Sequence, residues 1–198
     1  KISVDARKKD KVSLVFSVAV SCENEEKIAG RIKAKNVTLR KISPAEIPVL
    51  KKGPETRPVI IGFGPAGMFA GLYLARAGAM PIIFERGAKV EERTAAVENY
   101  WKGGVLNEKA NVQFGEGGAG TFSDGKLFSR SKKRGNMQRV MELFHHFGGD
   151  DRVLYEAHAH IGSDKLPTII RRMRECILEH GGEIHFSTCV DESLFRDL

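Results

Sequence analysis

Residues 58–78 read PVIIGFGPAGMFAGLYLARAG, and this stretch decides the fold. Val59, Ile60 and Ile61 are β-branched, apolar and continuous, as a buried parallel strand should be. Gly62-Phe63-Gly64-Pro65-Ala66-Gly67 follows at once. Pro65 falls where a helix begins, a position that tolerates its missing N–H. The helix runs on through Met68, Leu72, Leu74 and Ala75 and stops near Gly78. A second strand, PIIFE, ends in Glu85.

Each part of this run suits a dinucleotide. Gly62 permits the tight turn from strand to helix, Gly64 lets the backbone approach a pyrophosphate, and Gly67 lets the helix pack closely on the sheet. Amides at the helix start, around Pro65 and Ala66, face the phosphates with partial positive charge. Glu85 lies 23 residues after Gly62, where a carboxylate can accept hydrogen bonds from an adenosine ribose 2′-OH. The same carboxylate disfavours a 2′-phosphate, so NADPH fits this site poorly. The alternative is a glycine-rich helix–sheet contact with no ligand. The expected fold class is α/β, a Rossmann-like βαβ unit.

This fingerprint does not separate FAD from NAD. The following residues, 85–127, read ERGAKVEERTAAVENYWKGGVLNEKANVQFGEGGAGTFSDGKL. They resemble a family of bacterial FAD-dependent oxidoreductases, often described as NAD(P)/FAD-dependent dehydrogenases, within the two-dinucleotide-binding-domain flavoproteins. The likeness extends over about 58–190, and SVDARKK at 3–9 resembles that family's small leading domain. The resemblance implies that the first glycine motif binds the ADP part of FAD and that Glu85 holds the ribose. It makes Arg86 and Arg93 candidates for the adenosine and pyrophosphate surroundings, with Arg93 preferred. It places Gly117, Gly118, Ala119, Gly120, Thr121, Ser123, Asp124, Gly125 and Lys126 beside the pyrophosphate, ribityl chain and flavin, and Val190 near the adenine. NAD(P)H would be an electron donor in the full-length enzyme.

The residues of 115–126 agree in part with that assignment. Four glycines among residues 115–120 leave amides uncovered and allow close backbone approach. Thr121 and Ser123 add short donors, and Lys126 adds a positive charge. A flexible surface loop is the competing reading. A redox cysteine pair is missing, because Thr121-Phe122-Ser123-Asp124 offers no thiol and Cys22, Cys176 and Cys189 are far apart in sequence. Dithiol exchange needs neighbouring thiols, which argues against cysteine-based reductase chemistry.

Further along, Lys126, Arg130, Lys132, Lys133, Arg134 and Arg139 crowd one stretch. Residues 129–135 read as an exposed loop, either solvated or clamping an anion. A helix is expected over 136–147 with Asn136 as its N-cap. His145, His146, His158 and His160 lack a recognisable metal-ligand spacing, so no metal is expected. His160 is a candidate for proton transfer or anion contact, or else a structural histidine. Leu166, Ile169, Ile170, Met173, Ile177 and Leu178 repeat at helical spacing up to Gly181 and Gly182, and a strand follows at 184–188.

Residues 1–57 differ in character. They hold 14 Lys/Arg against 7 Asp/Glu, whereas residues 58–198 hold 18 of each, so the net charge of +7 belongs to the first part alone. VSLVFSVAV at 12–20 reads as a strand, ENEEKIAGRIKAK at 23–35 as a short amphipathic helix and VTLRKI at 37–42 as a second strand. The expected organisation is a small basic α/β module over 1–42, a linker over 43–57 in which SPAE (43–46) caps one extra turn, and the flavoprotein portion over 58–198. Phe16 is the only aromatic residue before Phe63, and the lysines are spread out, which argues against nucleic-acid binding.

The whole chain has 198 residues, 41% hydrophobic and 29% charged, which excludes wholesale disorder. No apolar run approaches the ~20 residues of a membrane span, and no signal-type segment opens the chain. Three scattered cysteines fit a reducing, cytoplasmic setting. The resemblance implies an enzyme whose substrate domain and remaining cofactor shell lie outside these residues. The fragment alone is expected to be inactive, and the missing C-terminal portion is the partner that completes the site. The alternatives are an NAD-binding dehydrogenase domain and a non-catalytic module whose basic start binds a partner or nucleic acid.

Overall fold

The computed structural model describes residues 1–32, 34–40, 47–126, 136–157 and 159–197. The chain divides into two compact units, Lys1–Glu46 with Tyr155–Ala157, and Ile47–Leu154 with His158–Leu198. Among the described residues no helix is long and apolar enough to cross a membrane.

The first unit is built on a hairpin. Strand β1 (Ile2–Asp5) pairs antiparallel with β2 (Ser13–Phe16), in a register that sets Ile2 against Phe16 and Asp5 against Ser13. At the end of β1 the Asp5 carboxylate accepts from the Arg7 guanidinium at 2.6 Å and from the Arg7 N–H at 3.2 Å, which turns the chain. Helix α1 (Glu25–Arg31) follows. This corrects the expected strand–helix–strand order. Ile2 and Val4 carry the strand alternation that the charged ARKK sequence obscures, and α1 is shorter than 23–35 because Ile32 is already extended. Residues 37–40 form no strand, while 41–46, including the expected SPAE cap, lie outside the described residues.

The second unit is a mixed α/β fold. Strand β3 (Val59–Ile61), helix α2 (Pro65–Arg76) and strand β4 (Ile82–Phe84) succeed one another, followed by α3 (Val90–Trp101) and a 3₁₀ turn at Ala119–Phe122. Then come α4 (Met137–His146), α5 (Arg152–Tyr155), α6 (Leu166–Glu179), β5 (Glu183–His185) and α7 (Glu192–Asp197). Strands β3, β4 and β5 form a parallel sheet in that order, with Ile60, Ile83 and Ile184 in one row.

That row faces α2 and α6. Ile169, Ile170, Met173 and Ile177 of α6 are buried with Leu72 and Ala75 of α2 and Ile83 of β4. Each large side chain so buried contributes about 1.5–3 kcal/mol by leaving water. Gly71 makes this approach possible, since a Cβ there would lie 2.6 Å from Ile83 Cδ1. The expectation that β3 is buried on both faces needs correction. Val59 is 39% and Ile61 60% exposed, because β3 is an edge strand among the described residues and both point away from the helix-covered row. Asn136 does cap α4, its side chain accepting from the Arg139 N–H.

Candidate functional site

The turn between β3 and α2 is built around two glycines. Gly62 adopts φ +93°, in the left-handed region. A Cβ on Gly67 would fall 1.9 Å from the Gly62 carbonyl oxygen, so the helix can leave the strand this sharply only with glycine there. Gly64 is the N-cap of α2 and Pro65 its first residue, and no side chain caps this helix start. The partial positive charge of the uncapped amides therefore stays open to an anion.

Glu85, directly after β4, reaches this turn. Its carboxylate is 4% exposed and accepts the Phe63 N–H at 2.7 Å and the Gly87 N–H at 2.8 Å. Each carboxylate oxygen has two lone-pair sites, so acceptor capacity toward a hydroxyl remains. Beyond β5, the Thr188 N–H donates to the Glu85 carbonyl at 3.0 Å, and Val190, two residues further on, is half-buried.

A second glycine loop, 115–118, lies against the first. The Gly117 N–H donates to the Phe63 carbonyl at 2.9 Å. A Cβ on Gly118 would lie 3.3 Å from Gly64 Cα and 3.1 Å from Pro65 Cδ. Gly115, Gly117 and Gly118 all have positive φ. The structure thus joins Gly62, Gly64, Pro65 and Gly67 with Glu85, Gly117 and Gly118, across more than fifty residues of chain.

Arg93 lies behind this loop and is fully buried. Its guanidinium donates to the carbonyls of Asn111 (3.0 Å), Gly118 (3.1 Å) and Glu116, and to Thr121 Oγ1 (3.3 Å). Burial draws its pKa down to about 10, well above neutral pH, so it stays charged. Its donors face the loop's carbonyls, of which that of Gly118 also accepts the Thr121 N–H at 3.3 Å. The Thr121 hydroxyl donates to Gly118 O at 2.9 Å, and that of Ser123 to Gly120 O at 2.7 Å. Both short donors serve the loop itself. Ala119 and Gly120 lie in the 3₁₀ turn.

The outer candidates are more open. Arg86 is exposed, with its guanidinium 4.3 Å from the centre of the Phe114 ring. Asp124 and Lys126 pair at 2.8 Å, and the lysine holds the Asp124 carboxyl below its ordinary range. His160 is exposed and sits opposite Lys126 in an antiparallel bridge, while the Ile161 N–H donates to Gly125 O. His145 bonds Asp151 at 2.7 Å, whereas His158 and the basic residues of 129–135 lie outside the described residues. Cys22 and Cys189 are exposed, Cys176 is partly buried, and all three are free thiols.

Sequence reasoning gave no role to Gly87, Glu91 or Arg174, and none to the Glu116 side chain beyond its place in the glycine-rich segment. Gly87 passes Gly115 so closely that a Cβ would lie 2.5 Å from its Cα. Glu116 is buried and bonded to Val90 and Arg174, and Arg174 pairs with Glu91. The signal for Glu116 was present: it is the only side chain within a run of glycines.

No family model matches the chain. Over 200 aligned residues, covering all of the chain, it is 44% identical to an uncharacterized protein of Clostridium beijerinckii (strain ATCC 51743 / NCIMB 8052). The chain spans 37% of that relative's length.

Proposed function

We propose that the second unit is the FAD-binding start of a flavin-dependent oxidoreductase, in a Rossmann-like fold, and that its two glycine loops hold the ADP part of the cofactor. The observation that carries this reading is the meeting of both loops with Glu85: an uncapped helix start, a strand–helix turn only glycine can make, and a carboxylate at the end of the next strand. Gly62, Gly64, Pro65, Ala66 and Gly67 would cradle the pyrophosphate, because the helix-start amides donate without a side chain in the way. Glu85 would accept from the ribose and Val190 would border the adenine. Arg86 would lie on the adenosine side.

Arg93, Thr121 and Ser123 support this site by holding the second loop's carbonyls, and the loop's own amides at 116–118 are bonded within the protein, so it would border a ligand through its side-chain-free glycine backbone. Gly117, Gly118, Ala119, Gly120 and Gly125 would form the wall toward the ribityl chain, with Asp124, Lys126 and His160 beyond. When bound, the flavin supplies hydride or electron transfer, with NAD(P)H as donor in the longer enzyme. The chain's own part is to bind and orient.

Calorimetric titration of the 198-residue chain with ADP, FAD and NAD tests the reading. Saturable binding of ADP and FAD at one shared site, lost in Gly64→Val, is expected. Failure of both ADP and FAD to bind overturns it, and binding of NAD alone favours a nicotinamide site.

A further inference from the structure

Glu116 is wholly buried, yet only one oxygen of its carboxylate is engaged. Oε2 accepts from the N–H of Val90, the first residue of α3, at 2.7 Å and from Arg174 Nη1 at 2.6 Å, while Oε1 has no partner. Arg174, on α6, also grips Glu91 with both nitrogens, at 2.6 and 3.0 Å. The backbone of Glu116 is held as well. Its N–H donates to Ala88 O at 3.1 Å, and its carbonyl accepts from Arg93 and from Thr121 Oγ1. The next residue, Gly117, bonds the Phe63 carbonyl in the first glycine turn.

A buried ion pair is a poor source of net stability, because desolvation offsets its attraction. What it does well is fix register. Residues 115–118 read Gly-Glu-Gly-Gly, and the three glycines have positive φ and no side chain by which the fold could grip them. The Glu116 carboxylate is the one side-chain handle in this run, beside its backbone bonds, and Arg174 is the cation that holds it.

We propose that Arg174 is a positioning residue for the second glycine loop: acting through Glu116, it fixes the 115–118 backbone against the 62–65 turn and so preforms the cradle for an ADP group. The ligand in this statement rests on the proposed function above; the strut does not.

Amide hydrogen exchange on the ligand-free chain reads the strut directly, using E116L, R174M and the double variant E116L/R174M. R174M strands a buried carboxylate and risks unfolding, whereas E116L and the double variant leave none. E116L should speed exchange at Gly117 and Thr121 by about tenfold or more, with amides in the middle of α2 and α6 little changed. Arg174 acts through Glu116, so the double variant should add nothing to E116L. Unchanged exchange in E116L, or additive acceleration in the double variant, overturns the strut. ADP titration should show binding weakened by about tenfold in E116L. Faster exchange with unchanged ADP affinity overturns the preforming role. If ADP fails to bind the unaltered chain, the proposed function falls while the exchange data still decide the strut.

Discussion

The Glu85 carboxylate accepts the backbone N–H of Phe63 at 2.7 Å, so an acidic side chain at the end of one strand fastens the glycine turn that leaves its neighbour. Its second oxygen accepts from Gly87, at the point where the chain passes Gly115. One buried residue therefore ties the first glycine turn to Gly87, which packs against Gly115.

Glu85→Gln replaces one acceptor oxygen with an NH₂ group facing a backbone N–H. One buried bond is lost and two donors oppose each other, a loss of about 1–3 kcal/mol. Urea denaturation of the ligand-free chain should show the midpoint falling accordingly. A midpoint equal to the parent's would mean that the bracing is not felt in the fold.

Glycine substitutions should separate by position. Gly67→Ala drives a methyl group into the Gly62 carbonyl at 1.9 Å, and destabilisation by about 1–3 kcal/mol or more is expected. At Gly120 no atom lies within 4 Å of an added Cβ, so Gly120→Ala should stay within about 0.5 kcal/mol of the parent. Thermal melting of the two variants side by side checks the contrast.

Arg93→Met removes a cation that satisfies carbonyls of three residues in a buried setting. A loss of about 3–5 kcal/mol is expected. Arg93→Lys should recover only part of it, because an ammonium lacks the planar fork. With a native pKa of about 10, the group is charged at neutrality, so the loss should not vary with pH there. Denaturation at several pH values near neutral tests both statements.

Burial raises the Glu116 pKa above the ordinary 4.5 despite the Arg174 and Val90 bonds. As pH climbs above 4.5, the unfolded chain gives up this proton before the native one does. The native state then binds more protons, and this group's contribution is lost as pH rises through the raised value. Glu116→Gln should remove that decline and flatten stability against pH on the alkaline side of 4.5. An identical profile for variant and parent would refute the assignment. Glu91 acts in the opposite sense: bonding to Arg174 lowers its pKa, so its contribution is present above 4.5 and is lost as acid protonates it.

What was legible in the sequence was local. The β3 turn with Gly62, Gly64, Pro65 and Gly67, the Asn136 cap and the apolar stripe of α6 all follow from residues within a few positions of one another. The first unit was read less well because β1 is short, charged at its end, and defined only by its pairing with β2.

By itself, the sequence determined the strand–turn–helix–strand run and the two glycine-rich loops, because turn geometry and hydrophobic period are short-range properties. Only the tertiary structure decided that the two loops touch, that Arg93 faces inward, and that Glu116 meets Arg174 and Glu91. Glu116 and Arg174 are 58 residues apart, and Glu91 and Arg174 are 83 apart. Packing of α6 against the sheet brings such groups together. Burial, which residue type alone does not specify, then turns an ordinary charged side chain into a fixed part of the site.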